Sequence, residues 1–192
     1  MKTFELKGTL RSELGKKATK ALRREKMIPC EIYGGEGNMH FAVKASEVRK
    51  LIYTPDIFLV NLTIEGKTMT AVIKDMQFHP VADSCLHIDF LEVFENKPVV
   101  MEVPVKLEGL AAGVRAGGKL QLTMRKLRVK ALYNNVPERL TVDVTALELG
   151  KTTQVKSLSY ENLEILNAPN AVVCAVKLTR AARGAQATGA AQ

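Results

Sequence analysis

The sequence predicts a mainly β fold with minor α: a small N-terminal β-barrel with two helices over residues 1–94, then a β-sandwich-like domain over 95–178. Three observations predict it. Apolar residues recur with period two in runs of strand length, closed by glycine, proline or asparagine. Helical spacing is confined to two short segments, both before Pro55. The apolar pattern lapses at Glu95-Asn96-Lys97-Pro98, where the domain boundary is placed.

The first strand is Thr3–Leu10, with Phe4 and Leu6 on one face, and Leu14-Gly15 breaks it. Lys16–Met27 reads as a helix on which Lys16, Lys20 and Arg24 share one side at i, i+4 and i+8. Ile28-Pro29 ends it, because the residue before proline is pushed out of the α region. Glu31-Ile32-Tyr33 is a short strand closed by the turn Gly34–Asn38, and Met39–Lys44 is another. Ser46 is placed to cap a second helix with Val48, Leu51 and Ile52 on its apolar face. Ile57–Ile64 and Thr68–His79 make a hairpin about Glu65-Gly66-Lys67, and Cys85–Phe94 comes after the turn Pro80–Ser84.

Beyond residue 95 nearly every segment reads as strand. Val99–Leu107 contains Pro104, which suggests an edge. Leu110–Gly118 is a glycine-rich loop. In Leu120–Ala131 the apolar parity changes, which a bulge near Arg125-Lys126 would reconcile. Leu140–Val144, Thr153–Leu158, Leu163–Leu166 and Ala171–Leu178 complete the strands, and the small, polar residues 179–192 are expected to be a disordered tail.

Composition narrows the function classes. No apolar run approaches the ~18 residues of a membrane span, and MKTFELKGTL lacks an apolar leader, so a cytoplasmic protein without membrane contact is expected. Cys30, Cys85 and Cys174 are odd in number and widely spaced, which argues against a disulfide framework. Net charge is +8 with a pI near 9.4, and a polyanionic partner fits it. The charge is focused. Residues 1–26 carry Lys2, Lys7, Arg11, Lys16, Lys17, Lys20, Arg23, Arg24 and Lys26 against three glutamates; Arg115, Lys119, Arg125, Lys126, Arg128 and Lys130 form a second, acid-free stretch.

The stretch DMQFHPVADSCLHIDF, Asp75–Phe90, concentrates the chemically competent side chains. His79, Cys85, His87 and Asp89 are all metal-ligand types, but the spacing matches no zinc pattern. A metal-dependent hydrolase centred on His79, His87 and Asp89 is the rival to an RNA-binding role. Cys85, His87 and Asp89 could be written as a nucleophile set, yet side chains two apart on a strand have Cβ atoms about 7 Å apart, too far for direct contact by short groups. Gly113–Lys119 satisfies GxxxxGK, but Leu120 replaces the magnesium-holding hydroxyl and a strand comes next, so a glycine turn is expected. No cofactor and no small-molecule substrate are expected.

Nucleic-acid binding explains more. Val72, Met76 and Phe78 are expected to pack inward with Leu86, Ile88 and Phe90. That turns Asp75, Gln77, His79, Cys85, His87 and Asp89 outward. Amide, imidazole and carboxylate groups on such a face suit base edges, while the basic helix suits phosphates.

LRSELGKKATKALRREKMIPCEIYGG followed by DMQFHPVADSCLHIDFLEV resembles the bacterial large-subunit ribosomal protein that binds 5S rRNA. VPVKLEGLAAGVRAGGKLQ and NNVPERLTVDVTALELG resemble the C-terminal domain of its long form, the general stress protein Ctc type. The resemblance spans residues 2–178. It implies a structural constituent of the large ribosomal subunit whose barrel, similar to the anticodon-binding domain of glutaminyl-tRNA synthetase, grips the loop E region of 5S rRNA. It further implies contacts from Arg11, Lys16, Thr19, Lys20, Arg23, Tyr33, Gln77, His87 and Asp89, with the second domain free to touch other rRNA or ribosomal proteins. Ala21 and Phe78 stand where the family commonly has arginine. A stress-responsive RNA-binding protein acting off the ribosome is the alternative within the same resemblance.

Overall fold

The computed structural model describes residues 1–35 and 37–179, so the predicted tail lies outside the described residues beyond Thr179. The chain forms two compact units, Met1–Val99 with Leu132–Val136, and Val100–Ala131 with residues from Pro137 onward.

The first unit contains β1 (Lys2–Leu10), α1 (Lys16–Arg24), β2 (Met27–Tyr33), β3 (Met39–Lys44), α2 (Arg49–Tyr53), β4 (Phe58–Ile64), β5 (Lys67–Phe78) and β6 (Cys85–Glu92). Six strands close a barrel in the order β1-β3-β2-β6-β5-β4. Two of its ladders are parallel, β1 with β4 and β2 with β6. The interior is filled by Leu6, Ile32, Phe41, Val60, Leu62, Ile88 and Phe90, and by Val48, Leu51 and Ile52 from α2 and its approach. The Phe41 and Phe90 rings lie 5.6 Å apart at its centre. Each such side chain contributes about 1.5–3 kcal/mol when fully buried. A Cβ at Gly8 would come within 2.7 Å of the Phe41 ring, so this position stays bare to admit the aromatic.

Alternation, not helical spacing, governs the boundaries that moved. The helix predicted to Met27 ends at Arg24, because Lys26 takes φ 59° and Met27 already pairs with Lys44. Pro29 sits inside β2, just before the ladder to β6, which begins at Cys30↔Ile88. Ser46 does not cap α2; Val48 holds that position and no side chain caps the helix. The β4–β5 hairpin turns on Glu65 and Gly66, whose φ of 47° and 84° give the mirror-image turn that right-twisted strands prefer.

Two irregularities in the β5–β6 ladder change which side chains face inward. Ile73 and Asp75 pair with consecutive residues Phe90 and Asp89, so Lys74 is an extra residue on β5. Phe78 and Gln77 pair with Cys85 and His87, so Leu86 is an extra residue on β6. Each inserted residue reverses parity along its strand. The inward set is therefore Ala71, Ile73, Met76, Cys85, Ile88 and Phe90. Three expectations are corrected: Val72 is buried but alternates away from the barrel interior, Leu86 is displaced from it, and Cys85 packs on the core. Phe78 shares a face with its partner Cys85 but lies at the end of the barrel wall, where it is 40% exposed.

The second unit contains most of β7 (Val99–Glu108), then α3 (Ala112–Arg115), β8 (Lys119–Leu122), β9 (Lys126–Ala131), β10 (Leu140–Asp143), β11 (Thr152–Gln154), β12 (Glu164–Ile165) and β13 (Val172–Lys177). They form a four-stranded sheet, β10-β7-β9-β12, and a three-stranded sheet, β11-β13-β8. Ala111, Val142, Val144, Cys174 and Val176 are buried with Val105, Leu107, Leu120 and Leu122 packed on them. The parity change in Leu120–Ala131 is not a bulge: the chain leaves one sheet after Leu122 and enters the other at Lys126. Pro104 is not on an edge either. β7 is interior, and its pairing with β10 starts only at Val105. The GxxxxGK segment, expected as a glycine turn, instead begins within the short helix α3, and it packs tightly: a Cβ at Gly113 would lie 2.6 Å from the Glu148 and Leu149 backbone.

Candidate nucleic-acid interface

Helix α1 carries no buried residue and has an exposed basic side: Lys16, Lys17, Lys20 and Arg24 all reach solvent. What holds so polar a helix is its two ends. Thr19 donates from Oγ1 to the Gly15 carbonyl at 2.8 Å, and Arg11 donates from Nη2 to Thr19 Oγ1 at 3.3 Å. At the other end Arg23 donates from both Nε and Nη2 to the Leu86 carbonyl, at 3.1 and 2.9 Å. The bulge that displaces Leu86 thus faces an arginine. Of the side chains expected on RNA, Thr19 and Arg23 are engaged in positioning the helix, and Lys16 and Lys20 project freely.

The polar strand face lies beside that anchor. Gln77 and His87 are direct cross-strand partners, as are Asp75 and Asp89, and Glu31 pairs with Asp89 from β2. His87 Nδ1 stands 2.6 Å from Asp89 Oδ1. This corrects the expectation that residues two apart on the strand could not touch: the imidazole and carboxylate both extend along the strand and close the gap. The contact fixes the imidazole and leaves Nε2 as its remaining polar atom. Tyr33 shares Glu31's face, two residues along β2. Burial, then the carboxylates of Asp89, Asp75 and Glu31, push its phenol up, so it remains a hydroxyl donor. Glu31 and His40, 3.9 Å apart on β2 and β3, extend the polar row. Sequence reasoning missed both, although Glu31 has the parity of Tyr33.

The remaining candidates separate. Cys85 turns inward and donates from Sγ to the His87 carbonyl at 3.4 Å, so it lies across the sheet from the His87 ring it was aligned with. His79 belongs to the hairpin loop, where its Nδ1 accepts from the backbone N–H groups of Val81 and Ala82 at 3.3 and 3.2 Å. It does not join His87 and Asp89. Among the described residues no group of three or more His, Cys, Asp or Glu side chains is placed to hold a metal. In the second unit the basic run on β9 is largely partnered: Lys126 and Arg128 meet Glu102, and Lys130 meets Glu164. Such exposed pairs stabilise by about 0–1 kcal/mol. No helix among the described residues is long and apolar enough to cross a membrane.

A small barrel bearing a cationic helix and a polar strand face, followed by a β unit, is matched by two family models, both of ribosomal proteins. Residues 6–90 match the Ribosomal L25p family, and residues 98–180 match the C-terminal domain of ribosomal protein TL5. Similar chains include the large ribosomal subunit protein bL25 of Phocaeicola vulgatus, 60% identical over 98% of both chains. That of Porphyromonas gingivalis is 62% identical over 96% of this chain and 97% of its own. That of Bacteroides thetaiotaomicron is 56% identical over 97% and 98% respectively. The chain belongs to the Ribosomal L25p family.

Proposed function

We propose that this protein is a structural constituent of the cytoplasmic large ribosomal subunit that binds 5S rRNA at its loop E region, and that residues 1–94 make the contact. One observation carries the reading: Arg23 ties the cationic helix to the Leu86 carbonyl, one residue from His87 on the polar face. Phosphate-seeking cations and base-reading groups are thereby held on one rigid frame.

Lys16 and Lys20 neutralise phosphates and Arg11 supports the helix start, which sets position on the RNA without reading sequence. Gln77 presents both amide donors and a carbonyl acceptor, His87 presents Nε2, Tyr33 a hydroxyl, and Asp89 a carboxylate. Phosphates repel a carboxylate, so Asp89 accepts from base amino or imino groups. Thr19 and Arg23 act by holding the helix. The β unit from residue 95 to 178 contacts other rRNA or ribosomal proteins on this reading.

The test is binding of the purified full chain to 5S rRNA and to a plain RNA duplex of equal length over a salt series. A salt-sensitive preference for 5S rRNA is expected. Equal binding to both RNAs would refute the reading.

A further inference from the structure

The polar face and the cationic helix leave one feature of the first unit unexplained. Three of its exposed large apolar residues lie where the β5–β6 hairpin ends: Tyr53 is 60% exposed, Phe78 40% and Val81 87%. The Tyr53 and Phe78 rings lie 6.5 Å apart, inclined at 56°. They are held rather than loose. Tyr53 donates from its hydroxyl to the Asp83 carbonyl at 2.9 Å, and Phe78 is in ladder with Cys85. The loop beneath is closed by His79 N–H donating to Ser84 O at 2.8 Å and Asp83 N–H donating to His79 O at 3.0 Å.

The surroundings specify the occupant. Arg49 and Lys50 lie four and three residues before Tyr53 on α2, one helical turn away, and both are exposed. Arg23 is hydrogen-bonded to Leu86, next to Phe78's partner Cys85. Asp83 is the acid at this rim, and its backbone carbonyl is already used. Aromatic faces with cations one helical turn away suit a nucleobase with its phosphate, because every base offers a π-face and stacking tolerates any sequence.

We propose that Tyr53 and Phe78 form a stacking platform for one unpaired nucleobase of the bound RNA, with Arg49 and Lys50 on its phosphate. This rests on the 5S rRNA reading above. The protein contains no tryptophan, so Phe78→Trp supplies a single reporter. Its emission should be quenched when 5S rRNA is added, as a base stacks on the indole. Phe78→Leu and Tyr53→Leu, which keep apolar bulk but lose the ring, should weaken 5S rRNA binding roughly 5- to 150-fold each, the range of alanine-scanned base stacking. The salt slope should not change, since no cation is removed. Phe78→Tyr should retain affinity, which separates loss of a ring from misfolding.

Unquenched emission, or leucine variants that bind like the parent, would overturn the platform while leaving the 5S rRNA reading standing. A parent protein without preference for 5S rRNA would overturn both. Leucine variants that bind naked 5S rRNA normally but fail to sediment with large subunits would assign the patch to a protein neighbour and overturn base stacking.

Discussion

Replacing Lys16 and Lys20 with alanine, and separately Arg23 with alanine, divides the basic helix into side chains proposed to meet phosphate and one that holds the frame. On duplex-like RNA each phosphate contact adds about 0.9 to the slope of log affinity against log salt. K16A/K20A should therefore shallow the slope by about 1.8. Over a fourfold salt increase, from about 50 to 200 mM, the parent then loses about 12-fold more affinity than the variant. Lys16 and Lys20 are exposed on a helix that buries no residue, so thermal stability should hold. Arg23 is different, because two of its N–H groups converge on the Leu86 carbonyl. A charged donor contributes about 1.5–3 kcal/mol at a buried site, discounted to about 1 kcal/mol for this exposed one. In a unit of this size, that lowers Tm by about 4–8 °C. R23A should then weaken RNA binding with a slope change well under one contact. Filter binding over a salt series, paired with thermal melts, reads both quantities. An R23A protein with parental Tm and a slope shallower by about 0.9 would refute the tether and make Arg23 a phosphate contact.

Asp89→Asn, which keeps an oxygen acceptor beside His87 Nδ1, should relax discrimination against altered loop sequences by about 1–3 kcal/mol in competition binding. Gly113→Ala should destabilise the second unit by roughly 1–3 kcal/mol in urea melts, because the new methyl meets backbone at 2.6 Å and cannot push it aside. Burial pushes the Cys30 thiol up from its ordinary 9.0. A raised folded-state pKa leaves stability intact below about pH 9 and erodes it as pH climbs beyond, when only the unfolded chain can ionise. Urea midpoints from about pH 7 to about pH 10 should therefore fall for the parent and fall less for Cys30→Ala, itself less stable; an identical drop in both would count against the buried thiol as the cause.

Period-two patterning carries the barrel strands because each strand has one face on Phe41 and Phe90, so that Ile32, Leu62, Ile88 and Phe90 are legible as core. It fails where one residue is inserted. Nothing in the sequence distinguishes Lys74 or Leu86 from neighbours in register. Each insertion flips the facing of the residues on one side of it, which is why Cys85 and Val72 exchange sides with expectation. The parity break at Arg125-Lys126 was visible, but its meaning was not: a bulge and a passage between sheets leave the same trace in one strand, and only the partners distinguish them. Charge and parity select most of the proposed interface. They do not reveal that Thr19 and Arg23 are turned toward the protein, since that depends on carbonyls contributed by other segments.

The Arg23–Leu86 contact spans 63 residues of chain. A nine-residue helix with no buried side chain is too short to persist alone in water. As the nascent chain leaves its own ribosome, α1 therefore has no fixed shape until β6 has been made and docked, long after its cations have emerged. The cations come first and the frame that aims them comes last. Early encounters with RNA through this segment would be electrostatic and indiscriminate, and selectivity would arrive only with the closing of the barrel.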